Sequence, residues 1–349
     1  MNKASHSLGE SGQPGAALHH FQHMANTTQH HLGPDHPQTL TARTNVAIFR
    51  GEAGDAAGAA AALEEVLADQ ERVLGPDHPD TLATRSNLAR FRGEAGDAAG
   101  AAAALEEVLS DRERVLGPDH PDTLTIRNNL ATFRGEAGDV AGAAAAFEQL
   151  LSDRERVLGP DHPDTLTTRH NIAYWRGDAG DAAGAAAALE EVLSDRERVL
   201  GPDHPDTLIT RSTLATFRGE VGDAAGAAAA LEEVLSDRER VLGPDHPDTL
   251  ITRSNLATMR MEAGDAAGAA AAFEQLLADS LRVLGPDHPD TLSTRACLAV
   301  LRVEAGDAAG AAAAFERLLA DFLRVLGPDH PDTLTARRYL AALRGEGDP

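Results

Sequence analysis

Histidine is the side chain here best able to do chemistry, with 15 copies against one cysteine in 349 residues. Imidazoles hold metals or move protons when several converge on one point. Eight of them lie in the pentapeptide GPDHP, from His36 to His330, and each copy follows the last by 42 residues. Ligands spaced one per turn cannot surround a single ion, so the turn itself accounts for them. A second group, His19, His20, His23, His30 and His31, sits near the N-terminus. His19 and His23 stand one helical turn apart, which suits a transition metal, but no cysteine or carboxylate joins them. A polar end cap is the expected role, and no metal site is expected. The glycine-rich GEAGDAAGA lacks the GK[ST] that would hold phosphate and Mg²⁺. No spacing suggests a Ser/His/Asp or Cys/His nucleophile, and nothing near Cys297 would lower its pKa. Neither catalysis nor a cofactor is expected.

Charge and composition narrow the partners. Against 31 Lys and Arg stand 55 Asp and Glu, a formal net charge of −24. Nucleic-acid binding needs clustered Lys and Arg, so a phosphate-backbone partner is not expected. One cysteine excludes a disulfide framework and fits a reducing, cytoplasmic compartment. No run of about 18 apolar residues is present, so no membrane span is expected. The opening MNKASHSLGESG lacks the apolar core of a secretion signal.

The positioning elements follow from a repeat. GPDHP begins at Gly33, Gly75, Gly117, Gly159, Gly201, Gly243, Gly285 and Gly327. Seven full units therefore run over 33–326 (7 × 42 = 294 residues). Residues 12–32 match the second half of a unit and 327–349 the first half, followed by a short tail. Residues 1–11 are expected to be flexible.

Each unit reads as two helices. In the copy starting at Gly75, Pro79 suits the first helical position and Asp80 the first turn. Leu82, Leu88, Ala89, Phe91 and Ala95 then recur at helical spacing. Gly96 stops that helix, and Asp97 suits the N-cap of the next. The second helix carries Ala98, Ala101, Leu105, Val108, Leu109, Val115 and Leu116 on one face. Gly117-Pro118 ends it. No strand signal is present. The expected fold class is all-α, a solenoid of about sixteen helices.

These residues resemble a known family. Leu74-Gly75, His78-Pro79, Asn87-Leu88-Ala89, Gly96, Ala101 and Arg112-Glu113-Arg114 resemble the tetratricopeptide repeat (TPR) in its 42-residue, kinesin-light-chain-like form, an array type common in actinobacteria. Arg85 and Arg92 depart from it, standing where the family usually has large apolar residues. The resemblance covers nearly the whole chain after residue 12. It implies a right-handed superhelix of helix-turn-helix units whose first helices line a concave, peptide-binding groove.

Comparing the eight copies separates fixed from varied columns. Leu40, Leu82 and their equivalents never change, nor do Ala47 and Ala89 or the arginines at Arg43 and Arg50. Four columns vary, at i, i+3, i+4 and i+7, one helix face. One contains Thr44, Ser86, Asn128 and His170. The next reads Asn45, Asn87, Asn129, Asn171, Thr213, Asn255, Cys297, Tyr339. A third contains Ile48, Arg90, Thr132 and Tyr174, and a fourth begins at Thr41. A fixed face packs, and a varied one looks at solvent or ligand.

An amide can both donate to and accept from the backbone of an extended peptide without reading its side chains. The resemblance implies that use for Asn45, Asn87, Asn129, Asn171 and Asn255. The alternative is that each bonds a neighbouring helix's backbone. Large side chains concentrate in the fourth copy, at His170, Asn171 and Tyr174, which makes a mid-array anchor. Trp175, one column over, is expected in the core. A carboxylate also ends each first helix, in Glu52, Glu94, Glu136, Asp178, Glu220, Glu262, Glu304 and Glu346. Negative charge there opposes the helix dipole. Pairing with the repeated arginines would relieve it. A row of negative potential for a basic peptide is the other reading.

The expected function is a non-catalytic protein–protein interaction scaffold holding a peptide or extended segment along the groove. The groove set is Asn45, Asn87, Arg90, Asn129, His170, Asn171, Tyr174, Thr213, Asn255 and Tyr339. The alternative is a self-associating array or the sensor part of a signalling ATPase system. Leu334, Leu340 and Leu343, with no second helix following, would then offer an end for self-association.

Overall fold

The computed structural model describes residues 14–328 and 330–345, apart from the side chains of residues 14–17 and 19. The segment expected to be flexible and Glu346 lie outside that range. Sixteen helices and no strand occur among the described residues, in agreement with the solenoid reading. They fall into two compact bodies. One holds α1 (Pro14–Leu32) through α10 (Pro205–Glu220), and the other holds α11 (Ala224–Val241) through α16 (Pro331–Arg344). Helices of the first-half type (16 residues, as in Pro121–Glu136) alternate with the second-half type (18 or 19 residues, as in Val140–Leu158). No described helix is long and apolar enough to cross a membrane.

The turns are built by side chains. His120 is the N-cap of Pro121–Glu136, and its Nδ1 accepts from the Asp122 N–H at 3.2 Å. The same bond recurs at every described copy from His36 to His330. The GPDHP histidine is thus a cap, satisfying one of the free N–H groups at the helix start. Thr123 Oγ1 ties the turn by donating to the Gly117 carbonyl (2.9 Å). At the other end, Gly138 takes φ 93°, open to glycine without strain. Asp139 then caps Val140–Leu158 by accepting from the Gly142 N–H (3.0 Å). A Cβ on Gly142 would strike that carboxylate, so the AAGAAA glycine keeps the cap in place.

The fixed leucine and alanine columns supply the core. Leu82, Leu124, Leu166 and Ala89, Ala131, Ala173 are at most 1% exposed. Phe147 is fully buried with Leu124, Leu150 and Trp175 from the next unit. Trp175 is a core residue, as its column predicts. Units lock by an aromatic-on-glycine contact. The Phe91 ring lies over Gly51, Phe133 over Gly93, Trp175 over Gly135 and Phe217 over Gly177. In the last two units the glycine is replaced by Met261 or Val303, and the column that supplies the ring holds Leu301 and Leu343. Volume is exchanged across the joint, as close packing requires.

Two expectations change, and one set of arginines is buried. Val115, in the last turn of Ala98–Leu116, is exposed (39%) although its spacing put it on the apolar face. Conversely, Arg112, Arg154, Arg196 and Arg238 are buried. Arg196 donates to the Asp206 carbonyl (2.8 Å) and to Thr210 Oγ1 (2.6 Å) of the next first helix. Arg154 and Arg238 make the equivalent pair of bonds, and Arg112 meets Asp122 at 3.2 Å. At the C-terminal end, Leu334 is exposed, but Leu340 is buried and Leu343 packs against the same cluster as Phe315 and Phe322. Most of the last helix's apolar face is therefore packed against the preceding second helix.

Candidate binding face

The varied face of each first helix is a stripe of four positions. In the fourth copy those positions are Thr167, His170, Asn171 and Tyr174, at i, i+3, i+4 and i+7, and the helix-end carboxylate Asp178 follows at i+11. Asn45, Asn87, Asn129, Asn171 and Asn255 are all half-buried. Asn171 Nδ2 donates to Asn128 Oδ1 across neighbouring units (3.1 Å). The amides of Asn45, Asn87, Asn129 and Asn255 make no hydrogen bond to a described residue, so bonding to a neighbouring backbone does not explain them. Thr213 bonds back to the Ile209 carbonyl, Cys297 is half-buried, and Tyr339 is exposed, stacked on Phe315 at 5.0 Å. Burial pushes the Cys297 thiol pKa up, so it is no activated nucleophile.

His170 does not belong to the exposed stripe. It is 8% exposed, with Nδ1 3.4 Å from Thr210 Oγ1. Its column faces the next unit, and Thr44, Ser86 and Ser212 are buried with it. Burial, helped by the Arg196 guanidinium, drives its pKa down to about 3, so it is neutral at pH 7. Tyr174 is the surface member of that cluster, 44% exposed and edge-on to Trp175 (5.6 Å) and Phe217 (6.1 Å). Burial raises its phenol pKa, and the negative charges of Asp178, Glu136 and Glu220 raise it further.

Of the helix-end carboxylates, Glu136, Asp178, Glu262 and Glu304 have no ion pair among the described residues. The Arg43-type arginines reach the second helix instead: Arg43 to Asp69 (2.6 Å), Arg85 to Asp111 (2.6 Å), Arg127 to Asp153 (2.8 Å) and Arg169 to Asp195 (2.6 Å). Most Arg50-type arginines do likewise, as in Arg134 to Glu106 and Arg218 to Glu190. A third set, Arg114 and its equivalents, bridges Asp111-type residues to the turn aspartates such as Asp77. Asp111 is held below the usual carboxylate range first by Arg85 and then by Arg114. These arginines answer the second-helix side and form no ion pair with Glu136 or Asp178. Glu94 has a raised pKa, from burial and the nearby Glu52, with Arg90 opposing. Glu136 is raised by burial and by Glu94. Glu52, Glu94 and Glu136 thus stand in sequence along successive first-helix ends.

Arg90 is the exception along the row. Its guanidinium lies 3.3 Å from Glu94, 3.9 Å from Glu52 and 4.1 Å above the Phe91 ring. Thr132, Tyr174 and Thr216 take its place in the following units.

Near the N-terminus, His23, His30 and His31 are exposed, and His19 lies outside the described side chains. No group of three or more His, Cys, Asp or Glu suited to a metal occurs among the described residues.

Family models described as tetratricopeptide repeat match residues 1–38, 39–80 and 81–122, and again 126–197, 213–280 and 249–323. The chain belongs to the tetratricopeptide repeat family. Its 42-residue unit resembles the kinesin-light-chain-like form of the repeat. A solved Podosopora anserina chain, described as kinesin light chain with nearly identical TPR-like repeats, is 27% identical to this chain. That likeness covers 59% of this chain and 97% of the other, with a TM-score of 0.47. BtubC from P. vanneervenii is 21% identical over 65% of this chain and 91% of its own, with a TM-score of 0.50. The Rap protein complexed with Competence and Sporulation Factor shares the fold at 10% identity, with a TM-score of 0.59 over 98% of this chain and 96% of its own. A search of curated proteins gave no match. Solenoids of TPR type are interaction scaffolds, generally without catalysis.

Proposed function

We propose that this TPR array is a cytoplasmic, non-catalytic scaffold that binds an extended protein segment along the first-helix stripe. One observation carries the reading. Asn45, Asn87 and Asn129 recur every 42 residues with amides that make no hydrogen bond to a described residue. An amide that both donates and accepts can pair with a strand-like backbone, and a ladder of them matches its periodic polar groups. Tyr174 supplies a rigid side chain where an anchor is needed. The Rap protein, of the same fold, is known in complex with a factor, which supports a binding role for the fold and not this site.

Peptide-library selection against the wild type, repeated with an Asn87→Ala/Asn129→Ala/Asn171→Ala variant, tests the proposal. Each lost pair of hydrogen bonds should cost about 1 kcal/mol, so the triple variant should bind the selected peptide roughly 100-fold more weakly. Unchanged affinity with helicity and melting intact would overturn it.

A further inference from the structure

Resting on that reading, we infer that the bound segment is cationic, and that its arginine or lysine side chains seat between successive helix-end carboxylates beside Tyr174. The chain contains an example of the fit. Arg90 places a guanidinium between Glu52 and Glu94 while lying over an aromatic ring. Moving one or two units along the same row, Glu136 and Asp178 have no ion pair among the described residues, and no arginine stands at the equivalent position. Tyr174 stands there instead, an exposed ring among carboxylates. A cation over a tyrosine face gains from the ring quadrupole as well as from the flanking charges. Charge favours this side of the array. Arginines already answer the second-helix and turn carboxylates, so a basic partner gains most along the first-helix ends. An acidic segment would meet repulsion there, and a neutral one would leave Glu136 and Asp178 partly desolvated without a counter-charge.

The test uses three synthetic peptides of equal length in which alanine alternates with arginine, asparagine or glutamate. Binding to the full chain is followed by fluorescence anisotropy at physiological ionic strength. The Ala/Arg peptide should bind, and Glu136→Gln/Asp178→Asn should weaken it by roughly 10-fold. Tyr174→Ala should weaken it severalfold. Glu148→Gln/Glu155→Gln, an equal charge change on the exposed side of a second helix, should alter it less than about twofold. Equal losses in the two charge-matched variants would mean bulk attraction to an acidic protein and would overturn the proposal. So would tighter binding of the Ala/Asn or Ala/Glu peptide. If a library-selected neutral peptide binds through the asparagines while Ala/Arg does not, the cationic inference fails and the extended-segment reading stands. If asparagine substitution changes no selected peptide's binding, the reading itself fails.

Discussion

Gly93→Met should destabilise the joint between the second and third units by about 3 kcal/mol, the upper part of the range for overpacking a filled core. The Phe133 ring occupies the space that a Cβ at Gly93 would need, and Gly93 sits in a helix, so neither partner can retreat without moving backbone. In an array each unit depends on its neighbours, so the loss should appear as an early, partial melting step. The chain also suggests the remedy. Where Met261 stands in the glycine column, Leu301 stands in the aromatic one. Phe133→Leu added to Gly93→Met should therefore restore most of the lost stability, while Phe133→Leu alone lowers it. A double-mutant cycle by calorimetry measures the coupling, and additivity of the two changes would show that the joint is not a matched pair.

Acid should weaken the array well before its ordinary carboxylates titrate, and His170 is the main cause. Its folded pKa of about 3 lies below the value near 6.5 of an unfolded histidine. The unfolded chain then binds the proton first. Stability contributed by the neutral ring is full above pH 6.5 and is lost as pH falls toward 3, by several kcal/mol at most. His288 acts in the same direction, lowered by burial against the pull of Asp290. Glu94 and Glu136, with raised pKa values, oppose it, since their protonation favours the folded state. His170→Asn should flatten the fall in melting temperature between pH 6.5 and 4, and NMR should find the His170 ring untitrated over that range. A ring titrating near 6.5 in the folded protein would remove this explanation.

The architecture was legible because two signals agree. The 42-residue interval fixes the unit, and Pro, Gly and Asp mark the ends of its helices with mechanisms that hold in the structure. The glycine–aromatic joint was legible too, in the paired changes at Met261 with Leu301 and Val303 with Leu343, but it shows only when two columns a unit apart are read together. Charge hid other features. Arg112 and Arg114 look alike in DRER, yet Arg112 continues the Leu105 and Val108 stripe at i+7 and i+4 and is buried, while Arg114 faces the turn. His170 likewise continues the inward row of Leu166 and Ala173, and its variability reflected tolerance at a joint between units. The stripe of asparagines and carboxylates was legible by spacing. Which acids the arginines reach was not, because those pairs join residues 26, 28 and 37 positions apart, across helices.

The central claim is that the first-helix stripe is the binding face. Amide hydrogen exchange of the full chain with its best library-selected peptide tests it directly. Added protection is expected in 121–136 and 163–178, with the second helices 98–116 and 140–158 unchanged. Protection confined to those second helices, or to the turns between units, would contradict it.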